Sequence, residues 1–255
     1  MKKTLRIFSL LFILVGTCLG ISANNDMQKM ADANKAYQQE NYSKATELYK
    51  QIADSNNIGA VLFYNLGNAY YKNGDISHSL LWYERALQLD PGNDDIKHNI
   101  AFVNQKITDR IDPVPESAIS QWWNHFSQQL TERQWSIISL IAVFLLAVTV
   151  ILFMIIRSNT IHVISLITFI LSLITLIFSI IFASKEKYRY IKQPEAIVME
   201  LVVTAKSEPT ENGKNLFVIH EGLKVKITGT MENWAEIQIP NGEKGWVPIN
   251  EIEKI

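Results

Sequence analysis

Cysteine is almost absent. The 255-residue chain has one, Cys18, and it lies in an apolar leader. Lys2, Lys3 and Arg6 precede the apolar run over residues 7–15, and Ile21-Ser22-Ala23 closes it with a small residue. The pattern predicts a secretory signal over residues 1–23, cleaved after Ala23. A chain cleaved there has no cysteine, which excludes disulfides, thiolate metal sites and cysteine catalysis. Lipidation of Cys18 is the alternative processing: Val15-Gly16-Thr17-Cys18 is a loose lipobox, with Thr17 a poor residue before the cysteine.

An excess of charge of either sign is also missing. The net charge is −1, and Lys/Arg do not interleave with aromatics outside one short cluster. Nothing there favours nucleic acid. No catalytic constellation is present. The five histidines, His78, His98, His125, His162 and His220, show no metal-ligand spacing with an acid or cysteine. His162 lies near one end of an apolar stretch and reads as a neutral ring close to an interface. No glycine-rich phosphate loop follows a strand. These absences predict a protein that is not an enzyme and carries no cofactor or metal.

Charge is missing altogether from two long stretches. Residues 137–156 and 161–183 contain none, and only Arg157-Ser158-Asn159-Thr160 separates them. Twenty helical residues rise about 30 Å, the thickness of bilayer hydrocarbon. The reading is a transmembrane hairpin over residues 136–183, with both flanks on one side of the membrane. A buried hairpin in a soluble protein is the alternative.

Residues 26–111 are periodic. Tyr42 and Ile76, Ala45 and Ser79, Tyr49 and Tyr83, Ile52 and Ala86 each lie 34 positions apart, the tetratricopeptide period. The better copy runs over residues 60–92, with Phe63, Leu66-Gly67, Ala69, Tyr70, Gly74-Asp75, Ser79, Tyr83, Ala86 and a stop at Pro91. Small residues let antiparallel helices approach, and aromatics fill between them. The first copy, over residues 26–57, is degenerate, as a terminal cap would be. A further helix from Asp94 to about Ile111 carries Ile96, Ile100, Val103 and Ile107 on one face and closes the stack.

Residues 112–135 form a linker and an interfacial helix. Asp112-Pro113-Val114-Pro115 is stiff and extended. Ile119, Trp122, Trp123, Phe126 and Leu130 follow helical spacing, and the tryptophans favour the headgroup zone. Thr131-Glu132-Arg133-Gln134 fits a capping box that starts the first spanning helix, and Trp135 follows at the interface. After the hairpin come the basic residues Lys185, Lys187, Arg189 and Lys192. Residues 196–255 then change to short β runs over 196–203, 216–219, 224–227, 234–239 and 244–247, with a hairpin signal at Asn241-Gly242. About five strands in so short a segment predict a small barrel. The fold class is therefore mainly α: tetratricopeptide repeats, a two-helix transmembrane hairpin, and a small all-β SH3-like barrel.

The order of parts carries a resemblance. A signal, Tyr64-Asn65-Leu66-Gly67-Asn68-Ala69-Tyr70-Tyr71, Asp95-Ile96-Lys97-His98-Asn99, Trp122-Trp123, two apolar helices and a terminal barrel succeed one another. The whole chain resembles the BatE-type proteins of the Bacteroidetes aerotolerance (Bat) operons. Asn233-Trp234 followed by Gly245-Trp246-Val247-Pro248 is similar to bacterial SH3-like domains. The resemblance implies an inner-membrane protein working beside membrane proteins with von Willebrand factor A domains and a MoxR-type ATPase, in aerotolerance or envelope stress.

Two functions compete. The first is a membrane-anchored scaffold that binds partner proteins through the repeats. The second is a cell-wall tether or sensor, with peptidoglycan as ligand of the barrel. For the first, the groove positions of the repeats are Asn34, Tyr37, Val61, Tyr64, Asn68, Tyr71 and Lys72. Asparagine can pair with the backbone of an extended peptide, and tyrosine adds apolar area with a polar tip. The set partly resembles the carboxylate clamp of chaperone-binding repeats, but Met30 and Asp95 stand where that clamp has lysine, so no free C-terminal carboxylate is expected. Asn65 and Asn99 suit bridging between helices equally well. For the second function, Trp234, Trp246 and Pro248 are a potential ligand face, though their strand positions favour the barrel core for the tryptophans. In the second apolar stretch, Ser165, Thr168, Ser172, Thr175 and Ser179 form a small-residue seam expected to pack on a helix, either the first leg or a neighbouring protein. On topology, the leader places repeats and barrel in the periplasm with Arg157 cytoplasmic, whereas the basic cluster after the second leg argues the reverse. The leader is taken as dominant.

Overall fold

The computed structural model describes residues 26–55, 58–156, 158–192 and 194–255. The leader, Cys18 and Arg157 lie outside the described residues. Five helices open the chain: α1 (residues 26–38), α2 (Tyr42–Asp54), α3 (Ala60–Lys72), α4 (Ile76–Leu89) and α5 (Asp94–Asn104). Asn41, Asp75 and Asn93 start α2, α4 and α5 by accepting first-turn N–H groups with their side chains. Ala33, Ala45, Leu66, Ala69 and Ala86 are fully buried, so neighbouring helices approach closely. Gly67 sets the closest approach: a Cβ there would stand 2.7 Å from the Tyr83 ring.

The closing helix is shorter than its apolar spacing predicts. It ends at Asn104, and residues 105–111 continue without helix. Ile107 still packs on the repeat core, at its junction with the sheet, whereas Ile111 packs on the core of the C-terminal sheet. Gly222 (φ +83°) lies over Ile107 so closely that a Cβ would meet it at 2.7 Å. The linker is not a free spacer either, since the Val114 N–H donates to the Pro240 carbonyl (3.2 Å).

The sheet has seven strands: β1 (Glu195–Val198), β2 (Val202–Lys206), β3 (Asn215–His220), β4 (Lys224–Met231), β5 (Trp234–Gln238), β6 (Lys244–Pro248) and β7 (Ile252–Lys254). Their order is β3-β2-β6-β5-β4-β1-β7, and every pairing is antiparallel. The apolar run over residues 196–203 divides into β1 and β2 because the chain bends at residues 199–201; there the Met199 N–H turns to the Glu251 carbonyl. Asn241-Gly242 makes the β5–β6 hairpin, with Gly242 at φ +93°.

Between repeats and sheet lie α6 (Ala118–Ser127) and two long helices, α7 (Glu132–Ile155) and α8 (Asn159–Lys192). The capping box forms: the Thr131 N–H donates to Gln134 Oε1 (2.8 Å), and the Gln134 N–H to Thr131 Oγ1 (3.2 Å). Trp135, Ala142 and Thr149 on α7 are buried at seven-residue intervals, as are Ser165, Ser172 and Ser179 on α8. Two matching heptad stripes of mostly small side chains give a close antiparallel pair. Ser139 and Ser179 hydroxyls meet across it at 2.8 Å. Thr168 and Thr175 flank this stripe, Thr168 half-buried and Thr175 exposed. The seam in contact is thus three serines wide at heptad spacing.

Both long helices are apolar and long enough to cross a membrane. Only 11% and 17% of their most apolar windows is covered by the rest of the protein, whereas the core helix of a soluble domain is mostly covered. One rim of the pair is dressed by α6. Phe182 of α8, 1% exposed, is ringed by Trp123, Phe126 and Trp135 at centroid distances of 4.9, 5.6 and 4.9 Å. Lys185 Nζ donates to Asn124 Oδ1 (2.6 Å) and Ser127 Oγ (3.0 Å). Half of the α6 apolar stripe is therefore used on the hairpin, while Ile119 and Trp122 face outward.

Candidate interaction surfaces

Helices α1, α3 and α5 present the groove residues. Val61 is 68% exposed, Lys72 and Asn34 are exposed, and Tyr37, Tyr64, Asn68 and Tyr71 are half-buried. Phe102 of α5 joins them, 44% exposed, with its ring 5.7 Å from that of Tyr71. Sequence reasoning missed Phe102, although it stands 34 positions after Asn68 in the repeat register.

The asparagines are tied into the stack. The Tyr49 hydroxyl donates to Asn34 Oδ1 and the Tyr83 hydroxyl to Asn68 Oδ1, each at 2.6 Å. Asn99 Nδ2 donates to Tyr64 Oη (3.0 Å) and Asn68 Oδ1 (3.1 Å). The carbonyl ends of Asn34 and Asn68 thus bridge helices, and Asn99 links α5 to α3. Burial, followed by the nearby Tyr37 phenol, pushes the Tyr49 hydroxyl up to about 12. Burial and the Tyr64 phenol push Tyr83 up as well. Both therefore remain neutral donors. The signal for this pairing was present in the sequence, since Asn34/Tyr49 and Asn68/Tyr83 share a 15-residue spacing, repeated once per period.

The SH3-like sheet shows a second surface. Its core is Ala235, Ile237, Gly245, Val247 and their neighbours, and strand alternation puts the intervening residues on the other face. Trp234, Trp246 and Pro248 fall there, all half-buried, with Trp234 directly opposite Pro248 and Glu236 opposite Trp246. The tryptophans are not core. The period-two pattern of β5 and β6 turns them outward, on one contiguous face with Lys206, which pairs with Trp246.

A third contact joins the two folds. Ile197 of β1, 1% exposed, packs among Leu80, Leu81, Tyr83, Ile96 and Ile100 of the repeats. Lys224 Nζ lies 2.8 Å from both Glu84 Oε2 and Glu195 Oε2. Burial alone would lower this ammonium, but the carboxylates of Glu84 and Glu195 outweigh it and hold it above the usual lysine range. Arg85 Nη2 donates to Glu253 (3.0 Å) and to the Lys254 carbonyl (2.6 Å). Asp109 accepts from the His220 N–H (2.6 Å) and meets its ring Nδ1 (2.8 Å). The sheet thus docks on α4 and on the chain leaving α5, not on the exposed groove face of α1 and α3.

Comparison with known families matches residues 60–93 to the tetratricopeptide repeat and residues 202–251 to the bacterial SH3 domain. No curated protein matches the chain. The protein carries a tetratricopeptide repeat and a C-terminal bacterial SH3 domain, joined by a long helix pair. Both kinds of module suggest protein-binding roles. Among the described residues no cluster of three or more His, Cys, Asp or Glu is placed to hold a metal ion.

Proposed function

We propose that the protein is a membrane-anchored scaffold that gathers partner proteins on the α1–α3–α5 face of its repeats. One observation carries this reading. The SH3-like sheet docks on the α4 side, which leaves Val61, Phe102 and Lys72 exposed with half-buried tyrosines between them. An extended partner segment would lie across them, with apolar contact at Val61 and Phe102 and a polar edge at Lys72. The order of modules supports a BatE-type role in an aerotolerance or envelope-stress system. The partners would then be membrane proteins with von Willebrand factor A domains, with a MoxR-type ATPase in the same system. The absence of any catalytic constellation in the sequence favours binding over catalysis.

The bare apolar surface of α7 and α8 supports anchoring in the inner membrane, with repeats and sheet together in the periplasm. Of the basic cluster that argues for the reverse orientation, Lys185 and Arg189 are engaged within the protein, which weakens that signal. An alkaline phosphatase fused after Ile255 is expected to be active; activity of a cytoplasmic reporter at that point instead would reverse the topology. For the groove, Val61→Glu with Lys72→Glu, both at exposed sites, should leave helicity and melting intact. The same variant should lose co-purification of a von Willebrand factor A membrane partner, and full retention would sink the groove assignment.

A second reading keeps the cell-wall ligand. The outward, half-buried Trp234–Trp246–Pro248 face favours it, because aromatics sharing one face of a sheet suit sugars or a proline-rich segment. Trp246→Ala is expected to abolish retention on purified peptidoglycan if this face is the tether.

A further inference from the structure

One side of the helix pair carries an open cleft of about 290 Å3. Ala142 and Ser172, 2% and 4% exposed, are its buried lining and belong to the heptad stripes that close α7 on α8. Ile141 and Leu145 of α7 wall it on one side, and Thr168, Leu171 and Thr175 of α8 on the other. The α8 wall is part of a longer seam. Ile164, Thr168, Leu171, Thr175, Phe178 and Phe182 follow one another at alternating steps of four and three residues, the a/d spacing of a coiled coil. The chain fills the head-side end of this seam itself: α6 packs on Phe178 and leaves Phe182 only 1% exposed. Toward the turn the same seam is bare, with Ile164 57% and Leu171 59% exposed.

Hydroxyls set this seam apart. Three hydroxyls of the pair bond back to their own helices: Ser139 Oγ donates to the Trp135 carbonyl (3.1 Å), Thr149 Oγ1 to that of Leu146 (2.9 Å) and Ser179 Oγ to that of Leu176 (3.0 Å). The side chains of Thr168, Ser172 and Thr175 hydrogen-bond to no described residue, and all three line the cleft. Val163, Ile167, Ile170, Ile174 and Ile177, on the far side of α8, carry no hydroxyl and suit lipid. The inference that follows rests on the spanning hairpin proposed above. In hydrocarbon an unanswered hydroxyl is costly, and an acyl chain offers it no acceptor. The occupant must bring polar atoms to the depths of Thr168 and Thr175, one heptad or about 10 Å apart. Copies of one chain insert in the same sense. A two-fold axis between them therefore runs along the bilayer normal and sets each residue against its counterpart at equal depth. Threonine suits that symmetry, because its hydroxyl both donates and accepts. A β-branched residue at a with leucine at d also favours two strands, and Thr168, Thr175 and Leu171 take those places.

We propose that this seam binds a second copy of the chain. The two α8 helices pack along Ile164 to Thr175, Thr168 and Thr175 bond to their counterparts, and the Ser172 hydroxyl joins them from the cleft. In both copies α6 covers the head-side end of the seam, so the helices meet nearer the turn and part toward the heads. The hydroxyl row divides its work: Ser165, Ser172 and Ser179 close the hairpin, and the threonines beside them close the dimer. Two repeat grooves held on one pair of hairpins then engage an oligomeric partner with avidity.

The test uses the full chain in native membranes, with Cys18→Ser so that an introduced cysteine is the only thiol. Leu171→Cys, at the axis, should form a disulfide-linked dimer on mild oxidation. Ile170→Cys, the preceding residue and turned about 100° away, should not. Cross-linking at both positions alike, or at neither, overturns the proposal. Attachment of Leu171→Cys to a different membrane protein, with no dimer, also overturns it, in favour of a foreign helix in the cleft. Thr168→Val with Thr175→Val keeps the shape and removes the hydroxyls. In phosphatidylcholine vesicles of graded lipid-to-protein ratio, energy transfer between labelled copies should report association weaker by about tenfold, while proteolysis of the turn stays as in the parent. Association equal to that of the parent overturns the pairing of hydroxyls. Alkaline carbonate extraction separates the dimer from the reading it rests on. A chain stripped from membranes by carbonate defeats the spanning assignment, whereas a retained chain that stays monomeric defeats only the dimer.

Discussion

At the scale of single residues, the protein is held by a few polar contacts that close gaps between apolar surfaces. Lys224 is the plainest case. It neutralises Glu84, 8% exposed, and Glu195 at once. Lys224→Met leaves Glu84 without a partner, and a loss of about 2 kcal/mol in chemical denaturation is expected. The pH dependence has a definite sign. The ammonium is held above its ordinary value in the folded state, so its contribution is complete below about 10.4 and fades as pH rises above that. Tyr49 acts in the same direction: its folded value of about 12 against an ordinary 10.0 means that stability drains between those values. Alkaline melting curves should therefore fall from about pH 10 upward, and less steeply in Lys224→Met. Tyr83→Phe removes the donor to Asn68 without changing shape and should cost about 1 kcal/mol. A melting point unchanged from the parent would mean that the Asn–Tyr bridge adds nothing. The sequence carried this bridge openly in its 15-residue spacing. It carried no trace of the Lys224–Glu84 pair, whose members are 140 positions apart and belong to no shared period.

At the scale of elements, periodicity was legible wherever an element buries one face along its own length. Repeat helices α2 to α5 and the hairpin at Asn241-Gly242 follow from spacing and turn chemistry, and the capping box at Thr131 does so residue by residue. What spacing missed is what a neighbouring element decides. Ile107 keeps the apolar spacing of α5 and still packs on the repeat core, yet it lies past the end of the helix, against Gly222 of the sheet domain. Trp234 and Trp246 read as core from their strand positions, but the alternation of β5 and β6 puts Ala235, Ile237 and Val247 inside and the tryptophans on the other face. The five-residue hydroxyl seam narrows to Ser165, Ser172 and Ser179 because an antiparallel pair selects a heptad, not every small side chain. Ser172→Leu should wedge α7 and α8 apart, with a cost of about 1–3 kcal/mol, visible as faster proteolysis of the turn in detergent. Thr175→Leu, on the exposed flank, should be neutral there. Equal effects of the two would mean that the seam does not lie between these helices.

At the scale of the whole molecule, the stack of repeats ends on a β-sheet. Ile197 and Lys224 fill the place where a further repeat would supply its helix. A chain ending at Lys192 is therefore expected to lose cooperative melting of residues 26–104, while retention of a sharp transition would show the stack to be self-sufficient. The continuity of α8 adds a mechanical consequence. Its 34 residues rise about 50 Å, and a bilayer crossed as proposed would take up about 30 Å of that. The remainder of the helix would then stand clear of the bilayer, and β1, which begins at Glu195, sets Ile197 into the core of the repeats. The Lys185 bonds to α6 brace the same helix from the side. In the proposed membrane-anchored arrangement, a tilt imposed on the hairpin would pass through α8 and the Lys185 brace toward the repeats and reorient the groove.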